Sequence, residues 1–197
     1  MKSATFPSPE IIQPQQKQWG RVTAWLLFVA LMVVEHQSHV QNVMTRAGWE
    51  VRNADVAGQG VPSAVEIAQL AEPLVRGLLF VGEAPLGGHV QGTSGFRRYF
   101  ESLGIRDGQG RSLRDVDLTL RLFRYPLSYL IHSDAFGALP DVLKTQVFGR
   151  ILEVTSGRDA SGDFNHITVR DRSAILEILR ETHTDFEQWL AERETGH

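Results

Sequence analysis

A chain of 197 residues with 42% hydrophobic and 22% charged residues has an ordinary globular composition and is long enough for one well-buried domain. Its formal net charge of −3 lacks the basic excess expected of a nucleic-acid binder. The absence of cysteine removes disulfides, thiolate metal sites, iron–sulfur clusters and covalent c-type haem attachment.

In chain order, residues 1–17, with Pro7, Pro9 and Pro14, read as a flexible leader; residues 18–193 read as a helical domain and 194–197 as a tail. The stretch from Val22 to Val34 is almost wholly apolar, but its 13 residues fall short of a membrane span, which needs about 20. It also lacks the basic start and small-residue cleavage site of a signal peptide, so no membrane span is expected and a cytoplasmic location is favoured. A long helix is expected from Trp19 to Ala47, stopped by Gly48, followed by a loop over 52–62.

Later helix starts are marked by Ser or Thr followed three positions on by an acid. Ser63 with Glu66 opens a helix to about Val81, which Pro73 should kink or split. Ser94 precedes a helix from Phe96 to Leu103. Ser112 with Asp115 predicts a helix carrying Val116, Leu118, Leu120, Leu122 and Phe123. Pro140 begins a helix ending near Ser156, Thr168 with Asp171 opens another through Glu181, and Thr184 with Glu187 opens the last. Sustained alternation is missing. The fold class expected is all-α: a single irregular helical bundle of about seven or eight helices with long loops.

The apolar run from Val22 passes directly into Glu35-His36-Gln37-Ser38-His39-Val40-Gln41-Asn42. At 100° per residue, Glu35, His39, Asn42 and Arg46 share one helical stripe, where they can satisfy one another or meet water. His36 falls on a different stripe, with Val29, Val40, Val43 and Ala47, so its imidazole must find a partner inside. It is the better candidate ligand for a transition metal or non-covalent haem, with His39 and Glu35 as possible associates. The zinc-protease and di-iron bundle patterns are both absent.

Elsewhere, Gly82 to Gly92 forms a Gly-rich loop that could cradle a phosphate with Thr93, Ser94 and the nearby Arg97 and Arg98, though an ordinary connection is the favoured reading. Glu83 and His89 on this loop could reach a pocket. Tyr125, Tyr129 and His132 are spaced to line one helical face, alongside Ser128 and Asp134. Asp159 and Asp163 match no EF-hand spacing, and Arg158 with Asp159 reads as a loop-fixing pair.

Several strings carry a resemblance: Leu31-Met-Val-Val-Glu-His-Gln37 with Asn42, Leu79 to Leu86, Asp107 to Asp115, Leu122 to Ile131, Ser156 to Asp159, and Asp171 to Leu179. Together they resemble the C-terminal helical region of a family of uncharacterised bacterial proteins, some of which carry a cytochrome-c-like Cys/His segment that this chain lacks. The resemblance implies a helix signature at Glu35, His36 and Gln37, and it implies a periplasmic location as the alternative to the cytoplasm. The function expected is a helical accessory or protein-interaction module within a larger assembly, with another protein as partner and no nucleic acid. The alternative is a metal- or haem-binding redox module using His36. An enzyme combining the Glu35/His39 face with Tyr125, Tyr129, His132 or the 82–93 loop is a third reading.

Overall fold

Two capping boxes form as the sequence predicts: Ser63 and Thr168 each accept the backbone N–H three residues on, and Glu66 and Asp171 return the bond. In the computed structural model, which describes residues 13–56, 60, 62–84, 86 and 95–195, these caps open two of seven α-helices. The order is α1 (Gln13–Val56), α2 (Ala64–Leu78), α3 (Gly95–Ser102), a 3-10 helix (Tyr129–His132), α4 (Asp134–Gly137), α5 (Asp141–Thr155), α6 (Val169–Thr182) and α7 (Thr184–Thr195). The fold is all-α; its only β-type pairing among the described residues is an isolated bridge between Val116 and Phe123.

α2 packs against both α1 and α5, and α6 joins α5 to α7. From α1, Val29, Val33, Val40, Met44, Ala47 and Val51 face this core, at the three- and four-residue spacing of one buried helix stripe. Leu74, Val75 and Leu78 of α2 and Leu143, Val147 and Ile151 of α5 complete its centre without solvent exposure.

Five local expectations are corrected. α1 does not stop at Gly48 but runs to Val56. Gly48 is buried in the helix, and a Cβ there would lie 3.1 Å from Leu139 Cδ2. The glycine therefore serves close packing rather than termination. The first helix also begins at Gln13, inside the segment read as a leader; residues 1–12 lie outside the described residues. Pro73 sits within a continuous α2 and does not split it.

The predicted helix after Ser112 does not form. Asp115 accepts the Ser112 N–H at 3.0 Å, but its own N–H goes to the Ser112 carbonyl and the Ser112 hydroxyl accepts from Arg114, so half of the box forms and closes a turn. The chain then folds back, with Asp117 N–H donating to Leu122 O and Leu118 adopting a left-handed φ of 60°. Finally, α7 is capped by His183, one residue before the expected Thr184: its Nδ1 accepts Phe186 N–H and its carbonyl accepts Glu187 N–H.

Candidate functional site

His36 projects from α1 into the interior and is 3% exposed. An imidazole placed there needs partners for both ring nitrogens, and two distant segments supply them. Nδ1 meets Glu83 Oε1 at 3.0 Å, just past the end of α2. Nε2 meets Ser128 Oγ at 2.8 Å, at the start of the 3-10 helix. Leu130 N–H donates to the same Ser128 oxygen, and a carboxylate can only accept, so Nδ1 is the donor in the bond to Glu83.

Aromatic rings enclose this network. Phe80, which has a left-handed φ of 58°, stacks on His36 with centroids 4.3 Å apart. Phe123 contacts both rings, and Tyr129 lies against Phe123 and edge-on to Phe100. Tyr129 donates its hydroxyl to Gln37 Oε1 at 3.3 Å, tying the 3-10 helix to α1 a second time. Burial pushes its phenol above the ordinary value, against the opposing pull of the Arg114 guanidinium over its ring.

Hydroxyl, imidazole and carboxylate stand in the order used by hydrolytic triads. The surroundings direct the arrangement elsewhere. Ser128 is fully buried, and its oxygen already caps the 3-10 helix, so a substrate carbonyl has no path to it. What the three groups can do is lock α1, the end of α2 and the 3-10 helix together. A metal or haem iron at His36 would have to displace Glu83 or Ser128 from its nitrogen.

The other residues singled out by sequence separate into several places. Glu35, His39, Asn42 and Arg46 are exposed, and Arg46 pairs forward with Glu50 at 2.7 Å instead of with its own stripe. Glu35, His36, His39, Arg76, Phe80 and Glu83 border an open cleft of about 460 Å³. On the far side of Phe80 and Glu83, Met32, Leu120, Phe123 and His166 border a more apolar one of about 550 Å³. Tyr125, Tyr129 and His132 do not line one helical face. Tyr125 precedes the 3-10 helix, Tyr129 faces α1, and His132 meets Thr182 Oγ1 at 3.0 Å and the His183 ring.

Asp159 is held by Arg150 instead of Arg158, and Asp163 by Arg76. No group of three or more His, Cys, Asp or Glu side chains positioned to hold a metal occurs among the described residues. Within the Gly-rich loop, residues 85 and 87–94, including His89, Thr93 and Ser94, lie outside the described residues.

Glu83 and Ser128 are the partners that sequence reasoning did not assign to His36. The available signal was the buried stripe of His36, which demanded partners without saying which. Comparison with known proteins gives no match to a family model, a curated protein or a solved structure.

Proposed function

We propose that the chain is a helical interaction module that docks on another protein through the outer face of α1. One observation carries this reading: Leu31 and Val34, three residues apart on α1, are 63% and 55% exposed. They lie on the side of the helix away from Val29, Val33, His36 and Val40, all of which are buried. Two large aliphatic groups at that spacing form the kind of ridge an apolar helix groove receives, and each would contribute about 1.5–3 kcal/mol if fully buried. The sequence of the same helix remains apolar back to Val22. The internal commitments of His36 support a scaffolding part for the polar insert, leaving the surface of α1 for recognition.

The test is light scattering and chemical cross-linking of the full chain beside the Leu31→Glu/Val34→Glu variant. The expected result is a wild-type assembly, with itself or with a co-purified protein, that the variant loses while its unfolding temperature is retained. A monodisperse wild-type monomer with no cross-linked partner, indistinguishable from the variant, overturns the reading.

A further inference from the structure

A third cleft, of about 830 Å³, opens between the turn-rich segment 109–125 and the start of α6. Five arginines border it, and their pairing differs. Arg111 is bound by Asp107 and Glu177. Arg121 grips Asp171 through both Nη atoms, at 3.1 and 2.6 Å. Arg97 is held by Glu101 and the Val116 carbonyl. Arg124 and Arg170 are exposed and have no carboxylate partner among the described residues; the Arg124 guanidinium lies 6.0 Å from the centre of the Tyr125 ring.

The paired arginines set the position of the unpaired ones. Arg121 Nη2 donates to the Arg124 carbonyl at 2.7 Å and to Asp171 Oδ1 at 2.6 Å. The backbone of residue 124 is thereby tied to the residue beside Arg170, in the first turn of the 14-residue α6. Tyr125 adds a third feature. It borders the cleft at only 9% exposure, yet its hydroxyl takes no hydrogen bond from a described residue. The phenol oxygen is open to the cleft, where a polar group can meet it.

Two of the three acids on the walls are already paired and do not neutralise Arg124 or Arg170. Asp171 is taken by Arg121 and Thr168, and Glu177 by Arg111. Asp117, the third, accepts the Thr119 N–H and has no cation partner among the described residues.

We infer that this cleft binds a small phosphate monoester, gripped by Arg124 and Arg170 at the α6 N-terminus and by the Tyr125 hydroxyl. Guanidinium forks match phosphate oxygens in pairs, and the first turn of α6 favours negative charge. The volume suits a small metabolite. A nucleic-acid strand fits less well, because the chain's net charge of −3 repels an extended polyanion.

Calorimetric titration of the full chain with glycerol 3-phosphate and with inorganic phosphate, at fixed low salt, tests this. Both are expected to bind saturably at one site. Arg124→Gln and Arg170→Gln should each weaken binding about tenfold, and Tyr125→Phe several-fold, with unfolding temperatures unchanged for the arginine variants. Absence of saturable heat with either phosphate, or wild-type affinity in the Arg124→Gln/Arg170→Gln double variant, overturns the inference. So does a single-stranded oligonucleotide that binds through the same two arginines far more tightly than the monoester.

Discussion

Ser128 Oγ and His36 Nε2 lie 2.8 Å apart although 92 positions separate them in sequence. The bond joins α1 to the 3-10 helix in a region that solvent does not reach, where a lost partner is expensive. Ser128→Ala should lower stability by about 2 kcal/mol, because it leaves both Nε2 and the Leu130 N–H without an acceptor or donor. In a double-mutant cycle with His36→Leu, urea denaturation should give a coupling of about 1–3 kcal/mol. Strictly additive effects would show that the two side chains do not support each other. Glu83→Ala should cost less than about 1 kcal/mol, since that carboxylate is 41% exposed.

His132 provides a pH-dependent element away from this network. Burial pushes its imidazole down from 6.5 to about 4, and the neighbouring His183 and Arg114 add to the depression. Between these values the unfolded chain binds a proton that the folded chain refuses. Stability is therefore complete above about pH 6.5 and falls as the pH drops toward 4, by on the order of 3 kcal/mol for this group. His132→Asn should flatten the slope of denaturation midpoint against pH across that window; an unchanged slope would assign the dependence to another group.

Asp107 should govern behaviour at lower pH. Burial raises its pKa, but the Arg111 N–H and guanidinium and the Gln109 N–H outweigh that effect and hold it below the ordinary carboxylate value. A depressed carboxylate contributes stability above its unfolded pKa, about 4, and loses it as the pH falls through the folded value. Asp107→Asn leaves the largely buried Arg111 with Glu177 as its one charge partner among the described residues, at a cost of about 2–4 kcal/mol at neutral pH. Thermal unfolding of the variant from pH 7 to 2 should lose part of the acid-side decline seen in wild type. A parallel curve would contradict the assignment.

Gly104 tests packing alone. A Cβ at this position would collide with Ser112 Oγ and lie 3.2 Å from Arg114 Cβ. Ser112 is 1% exposed and its Oγ accepts the Arg114 N–H, so it has little room to yield. Gly104→Ala is expected to destabilise by about 1–3 kcal/mol; a change below about 0.5 kcal/mol in urea denaturation would mean the 104–114 turn shifts freely.

What could be read from sequence was local or periodic. Ser63, Thr168 and Pro140 signalled helix starts because capping is settled within four residues. The buried stripe of His36 followed from its spacing to Val29, Val40 and Ala47. After Ser112 only the Asp115 half of the capping box forms, and the helix it would precede does not. The reversal that replaces it rests on a left-handed Leu118 and leaves Leu120 70% exposed, neither of which the spacing of apolar residues announces. Glu83, Ser128 and the cleft of arginines arise from contacts between distant segments, which neither caps nor periodicity encode.

Phe80 gives the His36 site a mechanical character. A non-glycine residue at a φ of 58° carries strain of about 1–3 kcal/mol, held here by the ring stacked on His36. Were that stack removed, residue 80 could relax to an ordinary conformation and draw Glu83 with it, since the Glu83 N–H is tied to the Phe80 carbonyl. Phe80 and Glu83 also form the wall shared by the 460 and 550 Å³ clefts. One strained turn thus acts as a common partition, and a ligand that displaces it from either side must reshape the space on the other.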